Sequence, residues 1–170
     1  MRYKITMSVF IVFLTFACRR ADNSIQTENC KYGKPEAIFK AEQSGISAHA
    51  FKLQNNEGVE QVKFANGIEL TLIQSGCDHI RQEFQFLLPG APPIDEPAYW
   101  IAQTINSMRM LGSFGPDFQV FSVWSQEIEN QVENIKLAES IELQQGFFVR
   151  IDRILGSNNA TLVLILSDVP

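Results

Sequence analysis

The sequence predicts an α+β domain, because segments with the period of strands stand on either side of segments with the period of helices. Apolar and polar residues alternate from residue 59 to residue 88, and they alternate again after residue 147. Between these regions, apolar residues recur every three to four positions. This order predicts an antiparallel β-meander, two helices and a C-terminal β-hairpin, with the helices packed on one face of the sheet.

The overall composition is that of one ordinary domain without a nucleic-acid surface. Of the 170 residues, 45% are hydrophobic and 19% are charged, and the formal net charge is −5. A chain of this length is typical of a single domain. Nucleic-acid binding needs clustered positive charge to neutralise phosphates, and the sequence contains no such cluster. Nucleic acid is therefore not an expected partner.

The clearest local pattern is a hairpin in "VEQVKFANGIELTLI", residues 59–73. A two-residue Asn-Gly loop would put the apolar rows of its two strands on opposite faces of the sheet. A three-residue loop, residues 65–67, instead pairs Phe64 with Ile68 and puts both rows on one face. We therefore predict the three-residue loop, with Gly67 in the left-handed conformation.

Two further strands flank this hairpin in the predicted meander. A short strand at residues 51–53 precedes it, where two apolar residues stand at a spacing of two. The stretch "IRQEFQFLL", residues 80–88, follows it with Arg81, Glu83 and Gln85 opposite an apolar row. The meander is therefore expected to have one face in the core and one face in water.

Two helices are predicted after the proline-rich stretch "PGAPPIDEP", residues 89–97, which ends the sheet. The first begins at Asp95 and Glu96 and stops at Gly112, and its apolar stripe is Ala98, Ile101, Ile105 and Met108. The second is capped by Asp117, and its stripe is Phe121, Trp124, Ile128, Val132 and Ile135. A strand remains the alternative at residues 118–124, which are rich in β-branched and aromatic residues.

The pattern of strands returns near the C-terminus. Apolar residues alternate over residues 147–151, and "GSNN" at residues 156–159 is typical of a turn. The next stretch, "ATLVLILS", is apolar on both faces, which is typical of a central strand.

The N-terminus has the pattern of an export signal. A basic start is followed by an apolar run, residues 5–16, and then by Ala17 and Cys18. A membrane-spanning helix needs about 20 apolar residues, so this run is too short to span. These first 18 residues resemble the signal of a bacterial lipoprotein, whose mature chain begins with a lipidated cysteine. The resemblance implies a signal peptide at residues 1–17, lipidation of Cys18 and anchoring in the periplasm or at the cell surface, with plain secretion as the alternative.

The next stretch, "RRADNSIQTEN", is too polar to bury the surface that folding requires. We therefore expect residues 18–29 to form a flexible tether and residues 30–170 to form one domain. A coil of this length has a typical end-to-end distance of about 18 Å. The domain would therefore stay close to its membrane.

The three cysteines support the same arrangement. Lipidation of Cys18 leaves Cys30 and Cys77 to form a disulfide, which is the usual state of paired cysteines in an oxidising compartment. In the chain-entropy model, a loop of this size stabilises the fold by about 4 kcal/mol. The alternative is that Cys77 and His79 point to the same side of an extended chain and form a catalytic pair or two metal ligands. No second spaced pair of ligands accompanies them, so no metal or cofactor is expected.

These patterns favour a non-enzymatic binding or accessory protein of a bacterial envelope. Its partners would be the membrane, through Cys18, and an envelope protein or ligand that the sequence does not identify. A candidate contact surface combines Cys77, Asp78 and His79 at the meander tip with Tyr99 and Trp100 beside the proline-rich loop, and packing at the edge of the core is the other expectation for these two aromatic residues. The alternatives are an exported hydrolase or redox enzyme that uses Cys77 and His79, and an inhibitor of a cell-wall enzyme.

Overall fold

The computed structural model describes residues 31–75, 78–90, 92–93 and 95–170. These residues form one antiparallel sheet of seven strands with two helices, which is the predicted α+β class. The strands are β1 Ile46–Gln54, β2 Glu57–Phe64, β3 Glu69–Ser75, β4 Arg81–Pro89, β5 Ser140–Gln144, β6 Phe147–Leu155 and β7 Asn159–Ser167. The helices are α1 Pro97–Gly112 and α2 Gln119–Asn130, and a 3₁₀ turn at Pro116–Phe118 precedes α2.

The strand order is β1-β2-β3-β4-β7-β6-β5, so the last strand of the chain lies in the middle of the sheet. This position explains why the sequence of β7 is apolar on both faces. Two features of the sheet differ from the sequence prediction. The edge strand β5 was not predicted, and β1 extends well beyond residues 51–53.

The loop between β2 and β3 confirms the three-residue prediction. Gly67 has a φ of 87°, in the left-handed region that favours glycine. The Phe64 N–H donates to the Ile68 carbonyl at 2.9 Å, and Val62 pairs with Leu70. The apolar rows of both strands therefore lie on one face, because in this register the apolar residues of one strand pair directly with those of the other.

Residues that pair across neighbouring strands point to the same face of the sheet, so the register defines two faces. The core face carries large buried side chains, including Val62, Leu72, Phe84, Ile151 and Leu164. Both helices contribute to the same cluster, through Trp100, Ile105, Met108, Phe121 and Ile128. Helix α1 contacts β6 and β7 directly.

We call the opposite side of the sheet the open face. Two of its rows cross the sheet: Val59, Ile73, Glu83, Ile165 and Arg150 form one, and Gln61, Thr71, Gln85, Val163 and Asp152 form the next. The buried side chains of α1 and α2 belong to the core cluster on the core face. Among the described residues, the two helices therefore cover only this side of the sheet.

The first helix confirms most of the predicted stripe and corrects its beginning. Ile101, Ile105 and Met108 are buried as predicted, but Ala98 is exposed and Trp100 is buried in its place. Trp100, Thr104 and Met108 follow one another at helical spacing, so the buried stripe runs through the tryptophan. The large indole removes far more apolar surface from water than a methyl group does.

Helix α1 ends at Gly112 as predicted, but Gly112 is its last residue and not a left-handed cap. Ser113, which follows it, has a right-handed conformation. A Cβ atom at residue 112 would lie 2.0 Å from the Ser122 Oγ and 2.9 Å from the Ser122 N. Glycine is therefore required here because α2 approaches closely.

The second helix confirms the helix, and not the strand, that was considered at residues 118–124, but it is shorter than predicted. It ends at Asn130, and Val132 is exposed outside it. Ile135 is buried, but it reaches the core from the turns that follow the helix. None of the helices in the described part of the chain has the length and hydropathy to cross a membrane.

Candidate functional site

The meander tip that contains the predicted contact residues lies at one end of the sheet, which we call the tether end. Here β3 and β4 meet, where Ser75 pairs with Arg81, and β7 ends at Ser167. Residues 31–38, which we call the strap, lie against the same end. The first described residues therefore lie beside the meander tip, which carries part of the predicted contact surface.

Asp168 fastens the strap to the tip. The Tyr32 hydroxyl donates to the Asp168 Oδ2 at 3.1 Å, and the Ile80 N–H donates to its Oδ1 at 2.9 Å. A further hydrogen bond joins the Gln74 Nε2 to the Glu36 carbonyl at 2.8 Å. Segments that are distant in the sequence thus meet at one carboxylate near the C-terminus. The sequence reasoning did not find Asp168, because nothing local to it reveals these partners.

At the tether end, Lys31, Asp78 and His79 are exposed and Asp168 is half-buried. The His79 Nδ1 lies 3.7 Å from the Asp168 Oδ1, and the His79 side chain is 62% exposed. The Lys31 Nζ lies 4.5 Å from the centre of the Tyr32 ring. Interaction with the Tyr32 hydroxyl, and then the charges of Asp168 and Asp78, raise the pKa of Lys31 above its ordinary value.

A groove of about 600 Å³ lies between the strap and the strands β3 and β4. Its volume is within the range of ligand pockets, which bury most of a bound small molecule. However, half of its lining residues are exposed, among them Tyr32, Lys34, Glu36 and Ile80, and none is buried. This groove is therefore better suited to contact with another surface than to enclosing a small molecule.

The structure does not bring the two parts of the predicted contact surface together. Asp78 and His79 lie at the tether end, and Cys77 is outside the described residues. Trp100 lies below Arg153, whose guanidinium is 5.8 Å from the centre of the indole ring. Arg153 pairs with Leu162, five residues before Ser167 on β7, a separation of about 17 Å along the strand.

The expectation that Trp100 forms an exposed surface is wrong. Its side chain is completely buried, at 0% exposure, in the cluster between α1 and the sheet. Tyr99 is half-buried and packs edge-to-face against it, with the ring centres 5.4 Å apart. The physical reason is the phase of the helix, which directs Trp100 rather than Ala98 at the core.

A buried carboxylate that the sequence reasoning missed holds the end of the strap. Glu60 is 0% exposed on the core face of β2. Its Oε2 accepts the Ile38 N–H and its Oε1 accepts the Phe39 N–H, both at 2.9 Å, and the His49 Nε2 lies 2.7 Å from Oε1. A sequence signal was available, because Glu60 stands two residues before Val62 in the core-facing row.

Phe39, whose backbone N–H is bound by Glu60, also packs into the hydrophobic core. The aromatic ring lies 5.2 Å from that of Phe118 and 5.9 Å from that of Phe64, and Phe39 is fully buried. Glu60 thus fixes the backbone that carries a core side chain. The beginning of the domain is tied both to the tether end and to the hydrophobic core.

The remaining predictions concern the lipidation site, the disulfide and metal ligands. Cys18, Cys30 and Cys77, and hence the lipid and the disulfide, lie outside the described residues. Within the described ranges, no three histidine, cysteine, aspartate or glutamate side chains are placed to hold a metal ion. No protein-family model, curated protein or solved structure matches this chain.

Proposed function

We propose that this protein is a lipid-anchored binding or accessory protein of a bacterial envelope. Acylated Cys18 holds it to the membrane, residues 19–29 form the tether, and the α+β domain meets an envelope protein or ligand outside the cytoplasm. The signal-like N-terminus is the basis for the compartment. Stable anchoring requires more than one acyl chain, and a lipoprotein cysteine supplies several.

The attachment of the strap is the structural observation that supports this proposal. A flexible tether keeps one end of the domain near the membrane only if the residues that follow the tether are held by the domain. Tyr32 is bonded to Asp168, and the backbone at Ile38 and Phe39 is bonded to the buried Glu60. The tether end therefore faces the membrane, and the strands lead away from it for about 27 Å.

A disulfide between Cys30 and Cys77 belongs to the same proposal. Tyr32 stands two residues after Cys30, Ile80 stands three residues after Cys77, and both contact Asp168. A disulfide needs Cα atoms within about 7 Å, and a contact between such near neighbours favours that distance. The bond would join the last residue before the strap to the meander tip.

The alternative enzyme would use Cys77 as a thiolate and His79 as its base. Asp168, near His79, could orient the imidazole, as the third member of such a site does. However, the 3.7 Å separation is too long for a hydrogen bond, and the two Asp168 oxygens already accept the Ile80 N–H and the Tyr32 hydroxyl. This observation favours a structural role for Asp168 and hence the binding protein.

The anchor is tested by intact mass and fractionation of the chain expressed in a bacterial host, with Cys18→Ser as the matched variant. We expect the wild-type chain in the membrane fraction, starting at Cys18 and carrying acyl mass. Cys18→Ser should lack the acyl mass and should no longer appear as a processed form in the membrane fraction. A soluble, unmodified wild-type chain that starts at Cys18 would refute the anchor and leave export intact.

The choice between binding protein and enzyme is tested by thiol titration of unreduced, unfolded protein. We expect no free thiol at Cys30 or Cys77. A free, reactive thiol at Cys77 would instead support the exported enzyme. Co-purification from envelope extracts then distinguishes a general binding protein from an inhibitor. An inhibitor must co-purify with a cell-wall enzyme and reduce the activity of that enzyme.

A further inference from the structure

We propose that the open face is a homodimer interface, in which two copies of the chain pack sheet against sheet. Both helices pack against the core face, and Phe39, which directly follows the strap, is buried there too. The open face is nevertheless not uniformly polar. Ile154 is 58% exposed and Leu87 is 37% exposed on this face, and Ile73 and Ile165 are half-buried there.

Six of the nine charged side chains of the open face form ion pairs with their own neighbours. Lys63 pairs with Glu69 across β2 and β3 at 2.8 Å. Two further ion pairs, Arg81–Glu83 on β4 and Arg150–Asp152 on β6, lie on the same side of the sheet. A surface with most of its charges already paired can approach a copy of itself while leaving few single charges to desolvate.

The distribution of charge selects this face for contact between identical copies. Residues 31–170 contain 10 basic and 17 acidic residues, a balance of −7. The register places nine of these charges on the open face: Lys52, Lys63, Arg81, Arg150, Glu57, Glu69, Glu83, Glu142 and Asp152. Four basic and five acidic residues leave −1 there and −6 on the rest of the described chain. The open face therefore carries less net charge, and hence less self-repulsion between two copies, than the rest of the described chain taken together.

The size of the open face matches what a stable dimer needs. Seven strands at about 4.8 Å spacing give a width of about 29 Å, and the longer strands are about 27 Å long. The projected area is about 800 Å² per copy, which is the typical share of one partner in a standard interface. Sheets that pack face to face lie about 10 Å apart, with side chains from both filling the space.

Symmetry makes the arrangement compatible with attachment to one membrane. A homodimer normally has a two-fold axis, and contact through one shared face requires the same patch on both copies. If that axis runs along the strands, both tether ends point the same way. The dimer follows from the face itself, so it does not depend on the lipid, and a secreted chain would form it too.

The test is sedimentation equilibrium of the full chain in a density-matched detergent, with lysine substitutions on either side of the sheet. Thr71→Lys places a charge at the centre of the open face. Val123→Lys is the matched control, because Val123 is 50% exposed on α2, away from the sheet. Ile154→Lys provides a second test at a position that is 58% exposed and should not disturb folding.

We expect the wild-type chain and Val123→Lys to be dimers at about 100 μM, where an interface of micromolar affinity is saturated. Thr71→Lys should dimerise at least about ten-fold more weakly, because a charge buried without a partner is costly. Ile154→Lys should be weakened in the same direction. Thermal melts of each variant confirm that the domain is folded. A monomeric wild-type chain, or dimers of unchanged affinity in both open-face variants, would overturn the proposal.

Discussion

Replacing Glu60 by glutamine tests whether the charge of one buried side chain holds the beginning of the domain. The carboxylate accepts two backbone N–H groups, from Ile38 and Phe39, and lies against His49. Glutamine keeps the shape but has only one oxygen. Its NH₂ group must therefore face one of the two N–H donors, which leaves a buried backbone donor without an acceptor.

The magnitude follows from these contacts. A buried donor without a partner costs about 1–3 kcal/mol, and the remaining hydrogen bond loses the extra strength that a charged acceptor gives. We therefore expect Glu60→Gln to reduce the free energy of unfolding by about 2–4 kcal/mol. With a typical urea dependence of about 2 kcal/mol per molar, the midpoint should fall by about 1–2 M.

The assay is urea unfolding followed by far-UV circular dichroism, with Glu57→Gln as the matched control. Glu57 begins the same strand and is exposed, so its substitution should change the free energy of unfolding by less than about 0.5 kcal/mol. Equal midpoints for wild-type protein and Glu60→Gln would show that the carboxylate charge does not hold Ile38 and Phe39.

Two further predictions concern a close contact and a covalent bond. Gly112→Ala should lower the free energy of unfolding by about 1–3 kcal/mol in a thermal melt, because the new Cβ would overlap Ser122. Asn106→Ala, exposed on the same helix, should be neutral or slightly stabilising, and a stabilised Gly112→Ala would contradict the close approach of α2. Cys77→Ser should reduce the free energy of unfolding of the oxidised chain by about 2–5 kcal/mol. Reduction of the wild-type protein should reproduce that loss, and identical urea midpoints before and after reduction would rule the disulfide out.

Elements set by neighbouring residues were predictable from the sequence. The loop at residues 65–67 was predicted because the turn and the two apolar rows had to agree on one register. The two faces of β4 and the helical character of residues 118–124 were also correct, since both depend on the spacing of nearby side chains. The short strand β5 was missed, because its pairing with β6 leaves only a weak local pattern.

The candidate site was less predictable than the fold. The exposure of His79 agrees with its expected place at the meander tip, but its neighbour Asp168 stands 89 residues further along the chain. Trp100 was placed on a surface because the apolar stripe was taken to begin at Ala98, which leaves the indole just outside it. In the structure the stripe keeps its other predicted members and takes Trp100 in place of Ala98.

The sequence by itself determined the α+β class, the local turn at Gly67 and the alternation that gives the sheet two different faces. These depend on periodicity and on backbone preferences, which act over a few residues. Only the tertiary structure decided that Glu60 holds the strap, that Asp168 joins Tyr32 to the meander tip, and that Gly112 is needed for a close approach of two helices. Each of those contacts joins residues that are distant along the chain, so their chemistry becomes visible only when the sheet and helices are assembled.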